Sequence, residues 1–478
     1  MASSVESAIR STVVIGVQAI AGFNRKRLPK VIDHPYLTGI FAPMTAEMSL
    51  TGLAVTGTIP PALDGRYLRI GPNPVAANPA SYHWFIGDGM VHGLRIQDGR
   101  ALWYKNRWIR SRRVAELLGG TAAPGPRNRS QDVVNTNVIG IGGRIFALVE
   151  AGSFPVALSD DLEKQTYDAF GGTLHDSFTA HPHLDPLTGE QHAICYNASQ
   201  PNRIRHVVID SVGRTIREEP IPVKHGPSIH DCAVTARYVL VLDLPVTFSK
   251  KTLLAGHEFP YAWNPDHQAR VGLLPRHGDA AGIIWCVVDP AYVFHPCNAY
   301  DLPDGRVVMD VVAYDTMFDE STQGPDNISG AFERWTIDPV ARRVDRAVID
   351  ASPQEFPRPD ERLVGQPYRY AYTVALPQGE ASRYLGGTKL YKHDLAGGTR
   401  QVHDFGQGHY PGEFVFVPDH AAAGEDEGWL MGLVVNHPGE TTDLVILNAR
   451  DFDGEPQASI RIPHRVPPGF HGNWVSSV

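Results

Sequence analysis

The chain lacks any run of the ~18 uninterrupted apolar residues that a membrane-spanning helix requires. It is poor in cysteine: Cys195, Cys232, Cys286 and Cys297 are too few and too scattered for a disulfide scaffold, and no C-x-x-C pair occurs. A reducing, cytoplasmic setting is the simplest reading. No long basic run occurs, and a formal net charge of −9 argues against a nucleic-acid partner, which needs a Lys/Arg-rich face. Walker loops and G-x-S-x-G nucleophile elbows are missing too. Gly140-Ile141-Gly142-Gly143 is no dinucleotide fingerprint, because it falls in an expected hairpin with no helix after it.

What is present points to strands. Hydrophobic residues make up 42% of 478, enough for a large core. Gly and Pro, 46 and 38 residues, together exceed the usual ~12% and recur as punctuation from Pro60 onward. Asp-Gly pairs stand at Asp64-Gly65, Asp88-Gly89, Asp98-Gly99, Asp304-Gly305 and Asp453-Gly454, where they read as tight hairpin turns. Between them lie strand-like runs such as Arg144–Glu150, Tyr238–Leu244, Arg306–Tyr314, Trp429–Val435 and Asp443–Leu447. The fold class is therefore all-β. Periodicity alone leaves a β-propeller and a pair of sandwiches open, since no crisp repeat is visible.

The first 33 residues differ. Ile9, Val13, Val17 and Ile20 share one face of a helix that is followed by Arg25, Lys26, Arg27 and Lys30. Such a segment suits a membrane surface, or a terminal helix packed on the body. We divide the chain into this amphipathic segment, 1–33, and a single domain over 34–478.

Twenty-one histidines are present, and four have unusual neighbours: His181 in Thr-Ala-His-Pro, His230 in Ser-Ile-His-Asp, His295 in Phe-His-Pro and His471 in Phe-His-Gly-Asn-Trp. Separations of 49, 65 and 176 residues exclude a local zinc finger or an H-E-x-x-H site. They leave two readings: unrelated histidines, or a site assembled from distant strands.

The segments around them resemble the carotenoid cleavage oxygenase family, and so does nearly the whole chain from about Pro35. The resemblance runs in order through Tyr36–Thr45 (YLTGIFAPMT), Leu63–Pro74 (LDGRYLRIGPNP), Trp84–Val91 (WFIGDGMV), Asn135–Val138 (NTNV) and Ala147–Gly152 (ALVEAG). It continues through Thr179–Glu190 (TAHPHLDPLTGE), Ala269–Arg276 (ARVGLLPR), Phe294–Tyr300 (FHPCNAY), Glu355–Arg358 (EFPR), Gly412–Pro418 (GEFVFVP) and Gly469–Trp474 (GFHGNW).

That resemblance implies a seven-bladed β-propeller with a helical and loop cap. It also implies one Fe(2+) per chain, held on the central axis by His181, His230, His295 and His471. Imidazole suits Fe(II), and four ligands on an octahedral ion leave two positions open for dioxygen. The resemblance further implies that Glu150, Glu355 and Glu413 accept the second N–H of three rings, with Glu361 a rival for the middle role. His183, two residues from His181, shares its face on a strand, but the Ala-His-Pro context selects His181. Thr136 aligns with a position that crowds one open iron site, the alternative being a threonine that satisfies turn backbone. Phe294, with Trp84, Phe85 and Tyr300, is expected to line an apolar tunnel. The implied activity is cleavage of a C=C bond in a carotenoid or apocarotenoid by O2, giving two carbonyl products. A stilbene-type double bond and a non-catalytic propeller scaffold remain as alternatives. Members use the region between His230 and Ala269 for apolar helices that dip into a membrane; that stretch is short here, and Thr252–Phe259 (TLLAGHEF) leaves a peripheral membrane contact open.

Overall fold

The computed structural model describes residues 16–377 and 384–477. Ile9 and Val13 of the expected N-terminal face lie outside the described residues. Residues 16–25 are helical, with Val17 half-buried and Ile20 exposed. All five apolar runs are strands: Arg144–Leu148, Tyr238–Asp243, Val307–Tyr314, Gly428–Asn436 and Thr441–Asn448. Val307–Tyr314 is buried along its whole length, which explains a continuous apolar run in place of alternation.

The Asp-Gly pairs divide into two kinds. Asp98 and Gly99 take positive φ angles of 50° and 67° and join Gly89–Gln97 to Arg100–Trp108 as a two-residue hairpin. Asp88-Gly89, expected to be a turn, instead opens a strand. A Cβ at Gly89 would lie 1.9 Å from the Val134 carbonyl oxygen, so glycine is needed there for close approach.

Apart from one parallel bridge the strand pairs are antiparallel, and the sheets depart from seven separate blades. Among the described residues there are six sheets of four or more strands and a two-stranded ribbon of Val246–Phe248 with Tyr261–Trp263. Two neighbouring four-stranded groups are fused into one sheet of eight, because their outer strands Ile284–Val287 and Arg343–Asp350 meet in a single parallel bridge at Val287 and Arg343. The arrangement is propeller-like. Its seven inner strands are β1 (Asn137–Ile141), β2 (His183–Leu184), β3 (Cys232–Val234), β4 (Tyr292–Asp301), β5 (Gln354–Arg358), β6 (His409–Pro418) and β7 (Gly472–Ser476). Each is an edge strand of its sheet. They pack in succession from β2 to β7, and β7 packs on β1. Asn137 Nδ2 on β1 donates to the Ala180 carbonyl just before β2 at 2.8 Å, which closes the ring. Facing the edges inward hides backbone groups that would otherwise template aggregation. β7 pairs with Gly65–Pro72, so strands from distant parts of the sequence share one sheet.

Several buried histidines away from the ring's centre are held neutral. Burial, with Arg276 second, lowers the pKa of His192 to about 3, and burial lowers His393 to about 4. His92 and His206 are pushed well below 6.5 by burial as well. In the unfolded chain these rings bind protons near pH 6.5, so the unfolded state takes up more protons below that value and stability falls with pH. We expect the urea midpoint to drop between pH 6.5 and 4, with His192 alone contributing on the order of a few kcal/mol across the window. Replacing His192 by Gln should flatten that slope. A midpoint independent of pH would contradict the burial argument.

Candidate metal centre

Local backbone irregularities aim the functional side chains. His295 lies on β4, where the pairing register shifts between Val293 and Pro296, since Pro296 has no N–H to give the ladder. β5 is irregular between Glu355 and Arg358, with Phe356 at a positive φ of 53° and Pro357 next to it. β6 shifts between Pro411 and Phe414, around Glu413. His181 precedes β2, His230 precedes β3, and His471 directly precedes β7.

The four imidazoles converge. One ring nitrogen from each of His181, His230, His295 and His471 lies within 4.8 Å of the others, and all four residues are buried. Three rings are backed by carboxylates. His295 Nδ1 donates to Glu355 Oε2 at 2.8 Å, His471 Nδ1 donates to Glu413 Oε1 at 3.0 Å, and His230 Nδ1 donates to Glu150. An Nδ1 that donates to a carboxylate leaves Nε2 with a lone pair in the neutral ring. The Nε2 atoms of His230 and His295 then face each other at 3.2 Å, lone pair to lone pair. His181 Nε2 is buried with no hydrogen-bond partner. A cation between these nitrogens satisfies them all at once, and an imidazole donor set suits a transition metal. The residues fit a metal.

Electrostatics favour the neutral ring at His181 and His471, whereas at His295 burial is outweighed by Glu355, which raises its pKa. Burial first, then the neighbouring imidazoles, hold His181 well below 6.5. Burial also lowers His471. For Glu413 burial works upward, but Arg358, His471 and the Gly472 N–H outweigh it and bring the carboxyl down to about 2.

Each glutamate is itself held. Tyr196 and Ser228 hydroxyls bond Glu150. The Tyr314 hydroxyl donates to Glu355 Oε1 at 3.2 Å and lies 2.9 Å from the Tyr384 hydroxyl. Arg358 Nη1 donates to Glu413 Oε1 at 3.2 Å. Glu361, the rival, is exposed and pairs with Arg358, not with an imidazole. His183 Nε2 sits 2.7 Å from Asp231 Oδ1, whose other oxygen is 3.8 Å from His181 Nδ1. Asp231, Tyr196, Tyr314 and Arg358 were not assigned from sequence. Two of them carried a signal, since Asp231 follows His230 and Arg358 closes the EFPR segment.

The tetrad stands between two cavities. An aromatic cavity of about 440 Å³ includes Trp84, Phe85, Phe294 and Phe470 on its walls and reaches His230, His295 and His471. Phe294 meets His230 edge-to-face at 5.1 Å, and Thr136 also lines this space. Tyr300, expected in the tunnel, lies instead against Tyr368 and outside the cavity lining. On the other side a cavity of about 330 Å³, lined by polar and apolar groups alike, reaches His181, His183, Asp231 and Arg358.

Comparison with known proteins agrees with this geometry. The family model described as Retinal pigment epithelial membrane protein matches residues 41–476. The carotenoid cleavage oxygenase of Mycobacterium tuberculosis is 40% identical, covering 93% of this chain and 98% of that protein. The apocarotenoid-15,15'-oxygenase of Synechocystis is 29% identical over 88% and 92%. Among solved structures, the cobalt-substituted ACO of Synechocystis superposes with a TM-score of 0.80 at 27% identity, covering 91% of this chain and 97% of that one. The lignostilbene dioxygenase of Pseudomonas brassicacearum gives 0.83 at 25% identity, covering 94% and 100%. A likeness that spans nearly the whole chain, around a buried imidazole tetrad, makes this protein a member of the retinal pigment epithelial membrane protein and carotenoid cleavage oxygenase family, and an enzyme of the dioxygenase class.

Proposed function

We propose that the chain is a non-haem Fe(II) dioxygenase that splits one C=C bond of a carotenoid or apocarotenoid into two carbonyl products. His181, His230, His295 and His471 would hold one iron, and the observation that carries this is their convergence beside an aromatic cavity. Bound iron supplies activation of dioxygen, whose two oxygen atoms account for the two carbonyls formed. The chain's own residues do the rest. Glu150, Glu355 and Glu413 fix the ring orientations and return negative charge to the site. The Thr136 hydroxyl is spent on Asn135 Oδ1 at 2.8 Å, which supports its methyl as the group offered to the cavity, where it would narrow the approach to a bound iron. Phe294 and its aromatic neighbours align an apolar polyene and keep water out.

The same reading takes residues 34–478 as a single catalytic domain and counts the eight-stranded sheet as two blades joined at one bridge. Seven inner edge strands support seven blades around a central axis carrying the metal. Ile20 and Phe23, 52% and 53% exposed beside Lys26, Arg27 and Lys30, support a contact with a membrane surface. Four separate, buried, free cysteines support a cytoplasmic setting.

The likeness to a lignostilbene dioxygenase supports a second reading, a phenolic stilbene substrate. Protein purified under reducing conditions, assayed for iron and incubated with an apocarotenal and a stilbene, decides among these. One iron per chain and two carbonyl fragments from the apocarotenal are expected. Preferential turnover of the stilbene would favour the second reading. A folded chain without iron would leave a binding scaffold.

A further inference from the structure

The aromatic cavity carries one ion pair at its rim. Arg25 is the single guanidinium or ammonium among the described residues lining it. Glu258 is the one carboxylate there besides Glu150, which is occupied by His230. The two come from distant parts of the chain, Arg25 from the end of the helix 16–25 and Glu258 from the loop after Lys250–Ala255.

Their placement is built by the backbone. Asn24 Nδ2 donates to the Leu254 carbonyl at 2.7 Å, and Arg25 Nε donates to the Gly256 carbonyl at 3.0 Å. Gly256 has a positive φ of 103°, and a Cβ on it would lie 2.5 Å from the Arg25 nitrogen, so glycine there lets the N-terminal helix seat against the loop. Arg25 Nη1 stands 3.3 Å from Glu258 Oε1, and the Ser81 hydroxyl donates to the same oxygen at 3.2 Å. Arg25 Nη2 and Glu258 Oε2 have no hydrogen-bond partner among the described residues. The ion pair therefore keeps unspent N–H donors on Arg25 and one unspent carboxylate oxygen on Glu258, next to walls that are mostly apolar.

A hydroxyl group matches this pair, because it accepts from the guanidinium and donates to the carboxylate. A carboxylate end group would meet Glu258 with like charge. An unsubstituted hydrocarbon end would take water from both charges and return nothing. We propose that Arg25 and Glu258 form a subsite that selects polyenes bearing a hydroxyl on the end left at the cavity mouth. This rests on the polyene-cleavage reading above and narrows its substrate class.

The test uses the iron-loaded full chain and two apocarotenals that differ only by a hydroxyl on the end ring. Dissociation constants from quenching of tryptophan fluorescence (Trp84 lines the cavity) are measured alongside kcat/KM. A preference of about tenfold for the hydroxylated polyene is expected in both, a size set by hydrogen bonds to charged groups that are a third exposed. In Arg25→Met and in Glu258→Gln the ratio should fall toward one, chiefly through KM. A wild-type binding ratio of one or less, or a ratio that both variants leave in place, overturns the subsite. Binding with the expected ratio but without turnover would instead count against the dioxygenase reading and leave the subsite standing.

Discussion

Replacing His181 by Ala is expected to strip the chain of its iron and to cut turnover by more than about 100-fold, since even residues behind metal ligands are worth about 10–100-fold. The fold should survive. His181 is the one imidazole of the tetrad with no carboxylate in hydrogen-bond contact, its nearest being Asp231 at 3.8 Å, so its removal strands no buried charge. His295→Ala should lose iron equally but pay more in stability. It takes the donor from Glu355, whose residue is fully buried, and leaves that carboxylate with the Tyr314 hydroxyl and the Phe356 N–H. Breaking a buried pair on one side costs about 3–5 kcal/mol. Iron content by elemental analysis and urea unfolding of both variants, metal-free, separate the two effects. A His181→Ala protein that keeps one iron per chain and full turnover would remove the tetrad from the chemistry.

The elements that could be read from the sequence are those set by neighbours along the chain. Val307–Tyr314 announces itself as a buried strand, and Asp98-Gly99 as a turn, because each depends on a few consecutive residues. Spacing did not gather the four histidines; the short segments around them did. What stayed hidden depends on how separate pieces of chain meet. The bridge at Val287 and Arg343 joins two sheets by their outer strands, and no pattern within either strand marks it. Asp88-Gly89 looks like its fellow pairs until the Val134 carbonyl is placed against it. Asp231 follows His230 in sequence yet bonds His183, 48 residues earlier. Arg358 closes a segment noted for its glutamate, but its role toward Glu413 on β6 emerges only when β5 and β6 are packed side by side.

Glu355→Gln should lower iron affinity by about 10–100-fold while leaving the fold close to native. The glutamine can be satisfied in place. Its carbonyl oxygen takes over the position that accepts from His295 Nδ1 at 2.8 Å and from the Phe356 N–H. Its amide then donates to the Tyr314 hydroxyl, which turns its own proton to the Tyr384 hydroxyl 2.9 Å away. Shape and hydrogen bonds are kept, so the loss isolates the carboxylate charge behind His295. The same change at Glu413 is a harsher test, because Arg358 Nη1 faces Glu413 at 3.2 Å and would lose that ion pair, keeping Glu361 and Asn473. Glu413→Gln is therefore expected to destabilise the metal-free protein as well as weaken iron binding, and Glu355→Gln to do only the second. Competition with a chelator gives the affinities, and urea unfolding gives the stabilities. Equal iron affinity in wild type and Glu355→Gln would mean that these carboxylates orient the rings without tuning the charge the metal meets.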